Sequence, residues 1–338
     1  KWLEKKLPDM NHHFSCGEDA YAYFLKNIAL IPQTPDELLQ QGRTAFNRAV
    51  AFETMERVRN AKLPEDKIFA SIEDQIVKAT EDERAIRNFL QQKNILSVPD
   101  WLRHYLNYPT PAHVKALGHM GVATDFTSEQ RLEQNASRYI PEPSAELPYF
   151  YRTMAKDPRP IIVHEGVPGH YFQLASSWKN ENPLRRRFVD CGPIEGIGLY
   201  VEEMLLQFGL FEDKPKTREI IYNFMRLRAL RVEIDIRLAL GTFTIEQAGY
   251  YLAETVPMDV ETAIAEAGFF AYNPGQAISY QIGKLQILKF LSDAKIKLGD
   301  QFNLREFHDY LMTNGNVPIA LLRWEYLGLD DEIRPFFE

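Results

Sequence analysis

The sequence has little cysteine: two residues in 338, Cys16 and Cys191, lying 175 positions apart. Two thiols so placed give no disulfide framework. Neither shows C-x-x-C spacing, so nothing suggests thiolate zinc ligation or a redox pair. They read as two unrelated thiols. The chain also lacks an apolar run of the roughly 18 residues that a membrane-spanning helix requires. Basic clusters are scarce, the densest being Arg185-Arg186-Arg187, which reads as a solvated helix end. With a net charge of −8, the electrostatic footprint of a nucleic-acid-binding protein is missing. There is no internal repeat, no low-complexity tract, and no secretory leader in the opening Lys1-Trp2-Leu3-Glu4.

What is present is 45% hydrophobic residues, 12% of the chain being aromatic, which is ample for a core. The texture is helical. Thr34-Pro35-Asp36-Glu37 is a capped helix start, with an apolar pattern running through Leu38, Ala45, Ala49, Met55 and Val58. Pro64-Glu65-Asp66 and Thr80-Glu81-Asp82-Glu83 look like acidic first turns and predict two more helices. From 107 to 146 the pattern breaks at Pro109, Pro111, Gly118, Gly121, Pro141 and Pro143. A short strand is expected there, near Val114–Leu117 or Arg138–Ile140, and so long an irregular segment is expected to line a cleft. Further helices are predicted near 216–240, 244–254, 258–267, 276–296, 304–313 and 318–326, with Thr244 and Asp259 as caps. The expected fold is mostly α, with at most a short β-hairpin or a few short strands. It divides into an N-terminal helical region, 1–146, and a C-terminal one, 147–338, within one continuous body.

The chemistry concentrates in His164-Glu165-Gly166-Val167-Pro168-Gly169-His170. Two imidazoles and a carboxylate beside the first are the inventory of a zinc hydrolase: nitrogen ligands, and a Glu that can take a proton from water. The spacing departs from H-E-x-x-H, whose histidines lie four apart on one helix face. Here they lie six apart, and Pro168 stands where the second His is expected. On a regular helix, side chains six apart diverge by about 240°, too far to share an ion. Pro168 has no N–H to give the His164 carbonyl and crowds it. The segment is therefore expected to bulge or break after Glu165 and to resume at His170, returning both imidazoles to one side. The plain alternative is a helix-loop-helix corner with two partly exposed histidines.

A site with two His needs a third protein ligand. Glu195, 25 residues after His170, opens a segment whose apolar positions 194, 197, 201, 204 and 205 recur at helical spacing. A carboxylate among apolar neighbours is costly to bury unless paired or metal-bound. It also suits the first turn of any helix. Glu202 and Glu203 read as a solvated face, with Glu202, seven residues on from Glu195, also placed to orient a ligand from behind. Arg228, Arg231 and Asp235 share one helix face. They form either an ion-pair stripe or, for Arg228, a guanidinium that meets a substrate carboxylate. Tyr272 and Gln276 are candidate cleft residues. His12, His13, His104, His113, His119 and His308 lack the paired spacing of a second metal site.

These motifs resemble one family. His164-Glu165-x-x-Pro168-Gly169-His170-x-x-Gln173 looks like the signature of DUF885, bacterial proteins known only as a domain of unknown function. Glu195-Gly196-x-x-Leu199-Tyr200-x-Glu202, Arg228-Ala229-x-Arg231-x-x-x-Asp235, Glu246-Gln247-Ala248 and Pro274-Gly275-Gln276-Ala277-x-x-Tyr280-x-x-Gly283 follow in the same order. Gly17-Glu18-x-x-Tyr21 and Thr34-Pro35-x-x-Leu38 also fit, so the resemblance spans nearly the whole chain. Two departures stand out. Ile197 replaces a Trp common in relatives, which bears on packing. Asp235-Ile236-Arg237-Leu238-Ala239 replaces Asp-Thr-Gly-x-His, which bears on substrate choice.

The resemblance implies an architecture similar to the helical gluzincin peptidases, the class of angiotensin-converting enzyme and the thimet oligopeptidases. It implies one zinc per chain held by His164, His170 and Glu195, with Glu165 as general base and Tyr280 supporting the oxyanion. The expected activity is a zinc metallopeptidase on short peptides. A non-peptide amidase with the same site, and a helical binding protein that keeps the motif as structure, are the alternatives. Family members are longer, so this chain is expected to be the C-terminal part of a longer protein. Its partners would then include the N-terminal half or a second copy. An export signal would lie in that missing part, and the expected location is exported, periplasmic or lipoprotein-like.

Overall fold

A computed structural model of the chain describes residues 1–9, 13–114 and 132–337. Helices α1 (Trp2–Lys6), α2 (Glu18–Asn27), α3 (Pro35–Arg59) and α4 (Ile72–Gln92) precede two strands, β1 (Tyr105–Pro109) and β2 (Ala136–Ile140). Then come α5 (Tyr149–Met154), α6 (Arg159–Ile161), a π-helical turn at Ile162–Gly166, α7 (His170–Trp178) and α8 (Pro183–Arg187). The longer helices follow: α9 (Cys191–Gln207), α10 (Pro215–Ala239), α11 (Ile245–Thr255), α12 (Val260–Tyr272) and α13 (Gln276–Leu298). Two more, α14 (Leu304–Thr313) and α15 (Ile319–Leu327), close the order. The fold is mostly helical, and the helices expected after Gln207 lie within a few residues of their predicted bounds. Cys16 and Cys191 are free.

The start of α3 follows its sequence. The Thr34 hydroxyl accepts from the Glu37 N–H and the Glu37 carboxylate accepts from the Thr34 N–H, with Pro35 in the first turn. Its apolar pattern holds only in part. Leu38 and Ala49 are buried, but Met55 and Val58 are exposed. Glu53 and Glu56 are buried in their place, paired with Arg57 and Arg226 and with Arg218 respectively. Charge pairing, rather than hydrophobicity, turns that half of the helix.

The two acidic first turns are corrected. Residues 64–66 lie in an irregular stretch, and α4 begins later, capped by Ser71, whose hydroxyl accepts from the Asp74 N–H. Thr80–Glu83 falls inside α4. Glu83 is fully buried and serves as a hub: Arg87 Nε donates to it over 2.6 Å and the Tyr105 N–H over 3.2 Å, and His104 Nδ1 lies 2.7 Å away. That hub fixes β1 to α4. The two strands pair in parallel, Tyr105 opposite Ala136 and Asn107 opposite Arg138, so they are no hairpin. Arg138–Ile140 lies in β2 as expected; of the other candidate strand, Val114 is in a turn and 115–117 lie outside the described residues.

Helix α10 is buried along most of its length, running beside α3 and against α13. Helices α9 and α13 cross unusually closely because glycines face each other. A Cβ on Gly196 would lie 2.7 Å from the Gly283 carbonyl carbon, and one on Gly283 only 2.2 Å from the Gly192 oxygen. This crossing brings the first turns of α9 and α13 together. Asp235 fixes the second of them. Its buried carboxylate accepts from the Gly275 N–H (2.8 Å), the Ile278 N–H (3.0 Å) and the Tyr21 hydroxyl (3.2 Å). Gly275 has a φ of 91°, which a side chain rarely adopts, and a Cβ there would strike the Phe24 ring.

Candidate metal centre

The histidine motif breaks where proline chemistry requires. Residues Ile162–Gly166 form a π turn, Val167 is extended (φ −124°, ψ 120°), and the Val167–Pro168 peptide is cis. Helix resumes at His170. Gly169 makes the return possible, because a Cβ there would fall 1.8 Å from the His164 carbonyl oxygen. The wider turn and the break absorb the two extra residues. The His164 and His170 rings meet edge to face, 4.7 Å between centroids. The six-residue spacing therefore places both imidazoles on one side.

Glu195, on α9, completes the cluster. Its Oε2 lies 3.3 Å from His170 Nε2 and 3.8 Å from His164 Nε2. Ligands about 2.0–2.2 Å from a tetrahedral ion lie roughly 3.3–3.6 Å from one another, so this separation is the right order for a shared ion. Glu195 Oε2 is buried and has no hydrogen-bond partner, whereas its other oxygen accepts from Gln276 Nε2 over 3.1 Å. The orphaned oxygen faces the two nitrogens. One ligand atom from each of the three residues falls within 4.8 Å of the others, and no second such group occurs among the described residues. Two imidazole nitrogens and a carboxylate oxygen fit a borderline divalent ion such as zinc.

The outer sides of the ligands are tied as well. Glu202, with no exposed surface, puts Oε1 2.6 Å from His164 Nδ1, which leaves Nε2 toward the cluster. Gln173 donates to the Pro193 carbonyl and so ties α7 to the start of α9. Gly198 makes room for the first imidazole: a Cβ there would lie 2.7 Å from His164 Cε1 and 3.0 Å from both ring nitrogens. We expect Gly198→Ala to push the ring from its bond to Glu202 and to weaken zinc binding by about 10–100-fold, read by chelator competition. Unchanged affinity would show that the ring can give way without cost.

Electrostatics follow from this packing. Burial alone would lower the His164 pKa, but its bonds to Glu195 and Glu202 raise it from 6.5 to about 9. In the metal-free protein that pairing stabilises the fold fully below pH 6.5 and is lost as pH rises through about 9. A proton thus competes with the ion. The affinity of the cluster for any divalent metal ion should rise about tenfold per pH unit in the neutral range and level off near pH 9. Chelator competition across that range checks it, and a flat profile would contradict it. Glu195 is driven the other way: burial raises it, but His170 and His164 hold it far below the usual carboxylate range.

Glu165 stands beside the cluster, about one-third exposed, with Oε1 3.3 Å from Arg138 Nη1 of β2. Burial pushes its pKa up, yet Arg138, His170 and His164 together hold it below its ordinary value. Arg138 is hydrogen-bonded to Tyr105 in turn, and Gly166 packs against the Tyr105 ring, where a Cβ would come within 2.7 Å. The small sheet thus grips the Glu165 carboxylate through Arg138. Sequence reading missed Arg138 and Gly198. Arg138 lies in the segment expected to line a cleft, and only a pairing of β2 with the motif could have selected it.

Tyr280, on α13, lies nearly parallel to the His164 ring at 6.2 Å. Burial and the Glu195 charge push its hydroxyl far above its ordinary pKa, so it remains an O–H donor. Arg231 sits over its ring at 4.6 Å and Arg228 at 6.0 Å. Arg231 pairs with Glu266 rather than with Asp235, which is occupied in capping α13. Arg228 lies 3.5 Å from Glu202. Gln276 meets Glu195. Tyr272 is 81% exposed at the end of α12, and no hydrogen bond or ring contact joins it to the cluster. His104 and His308 are satisfied elsewhere, by Glu83 and by Tyr200 with the Ile95 carbonyl. His12 and His119 lie outside the described residues.

A sequence profile of the family described as "Bacterial protein of unknown function (DUF885)" matches residues 1–325. No curated protein matches the chain. Solved structures share its fold, two of which show the extent of the likeness. One, a "putative lipoprotein" from Colwellia psychrerythraea, superposes with a TM-score of 0.82 at 22% identity, covering 96% of this chain and 58% of that one. The other, a "putative lipoprotein of unknown function" from Shewanella oneidensis, gives 0.77 at 18% identity, covering 96% and 62%. The chain therefore spans less than two thirds of either neighbour's length.

Proposed function

The chain belongs to the DUF885 family, and we propose, from the geometry of its His-His-Glu cluster, that it is a zinc-dependent hydrolase, specifically a metallopeptidase acting on short peptides. The observation that carries the reading is Glu195 Oε2, buried without a hydrogen-bond partner between the Nε2 atoms of His164 and His170. Its neighbours there are the two imidazoles, 3.3 and 3.8 Å away, and a buried carboxylate oxygen that converges with two ring nitrogens is the arrangement a shared cation satisfies.

His164, His170 and Glu195 would hold the ion, Glu202 and Gln276 orienting two of them from behind. When bound, zinc supplies a Lewis acid and draws the pKa of a water toward about 7. Glu165 is the group placed to take that water's proton and pass it to the leaving amine. Arg138 holds the Glu165 carboxylate through Oε1. The Tyr280 hydroxyl, kept protonated, donates toward the oxygen that gains charge as the carbonyl is attacked. The helical gluzincin peptidases use the same division of labour, and the analogy supports this one. The names of the two structural neighbours support an exported location.

Two measurements test the proposal. Protein purified without chelator should carry about one zinc per chain. A quenched-fluorescence peptide library run against a panel of simple amides should then be cleaved with a zinc-dependent rate. Turnover confined to the amides assigns a non-peptide amidase to the same residues. A protein that takes up no zinc removes both enzymatic readings and leaves the binding protein.

A further inference from the structure

Resting on the reading of the cluster as a metal site, we propose that Arg228 is a positioning residue for His164. It acts through Glu202 to fix which imidazole nitrogen faces the ion, and it does not receive a substrate carboxylate. Three residues from three helices lie in a line. Arg228 Nη2 (α10) is 3.5 Å from Glu202 Oε1 (α9), and the same oxygen is 2.6 Å from Nδ1 of His164 in the π turn. Among the described residues Glu202 is the one carboxylate that Arg228 pairs with.

The rest of the guanidinium is enclosed. It lies over Phe224 at 4.7 Å, Phe150 at 5.6 Å and Tyr280 at 6.0 Å, and its side chain is 4% exposed. Its Nε and Nη1 are buried with no hydrogen-bond partner. Rings hold the cation by their faces, so its remaining free edge is directed at Glu202. A substrate anion would have to part these rings to reach it. Arg231, three residues on, is bound to Glu266 and takes no part in the line.

The chemistry gives the arrangement a purpose. Glu202 has no exposed surface, and both Nδ1 of His164 and the Arg228 guanidinium reach its Oε1. His164 supplies one N–H to Glu202, and Arg228 supplies the charge. So held, Glu202 accepts from Nδ1–H and cannot be drawn away, which leaves the Nε2 lone pair on the side of His170 and Glu195. The same guanidinium touches the Tyr280 ring, so one side chain registers both a ligand and the proposed oxyanion donor.

A double-mutant cycle on the full chain tests this. Arg228→Met fills the space without the charge, and is combined with Glu202→Gln. Zinc affinity is read by competition with a chromophoric chelator, and cobalt(II) spectra report the ligand geometry. Arg228→Met alone should weaken zinc binding by about 10–100-fold and shift the cobalt bands. In the Glu202→Gln background the same change should alter affinity by no more than about twofold. Arg228→Lys should recover part of the loss, and serves as the working variant if Arg228→Met does not fold. Equal losses in both backgrounds would overturn the proposal. So would unchanged zinc affinity with a raised KM confined to peptides bearing a free carboxylate, which would return Arg228 to substrate binding. If the unaltered protein binds no zinc, the metal reading itself fails; if it binds zinc and the cycle is additive, only the role of Arg228 fails.

Discussion

Replacing Glu195 with Ala should reduce bound zinc from about one ion per chain to a trace, and abolish hydrolysis with it. The effect is expected to be this large because three protein groups are the minimum for such a site, and among the described residues no other carboxylate joins the cluster. Glu165, next to His164 in the chain, is held by Arg138. The change should also be clean. Glu195 lies between Gly192 and Gly196, where α9 meets Gly283 of α13, but the close approach is made by the glycines and not by its side chain. At neutral pH the metal-free variant should melt somewhat below the metal-free parent, having lost the pairing of Glu195 with His164, and only the parent gains stability when zinc is added. Gln276→Ala, which frees the same carboxylate without removing it, should weaken binding by about tenfold and leave the ion in place. If Glu195→Ala still binds one zinc tightly, the third ligand lies elsewhere.

Much of this site was legible because its residues are rare and their spacing is set by backbone chemistry. Pro168 between two histidines announces that the helix cannot be regular, and the π turn with its break is what two extra residues need. The pattern of α10 to α15 was equally readable, since capping residues and apolar periodicity agree there. Elsewhere the signal was ambiguous. An acidic run opens a helix or pairs with arginines inside one. Thr80–Glu83 looked like the first case and is the second, because Arg87, His104 and the Tyr105 N–H converge on Glu83 from distant positions. The same kind of long-range pairing hid the buried face of α3, where Glu53 and Glu56 lie inward and Met55 and Val58 outward. Parallel pairing of β1 and β2 leaves no mark in either strand. Arg138, which reaches Glu165 only because of that pairing, could not be singled out. Asp235 was legible as a motif residue, but its task of capping α13 required knowing that α10 and α13 lie side by side.

Glu165→Gln should lower kcat by about 10²–10⁴-fold, roughly 3–5.5 kcal/mol in barrier height, with zinc content unchanged and KM little altered. The isosteric amide keeps the volume of the side chain and a hydrogen bond to Arg138, but has no oxygen basic enough to take a proton. Glu165 contributes no atom to the three-residue cluster, so its loss should not release the ion. The contrast with Glu195→Ala is what separates the two roles: one variant is empty and inactive, the other loaded and inactive. Arg138→Met supplies the intermediate case. It leaves the base but removes its grip, and the expected loss is smaller, of order tenfold, through a carboxylate free to wander from the attacking water. Full activity in Glu165→Gln would move the general base to another residue. Among the described residues the other carboxylates at the site, Glu195 and Glu202, are engaged with the histidines, so this single substitution is the sharpest measure of whether the protein is a catalyst at all.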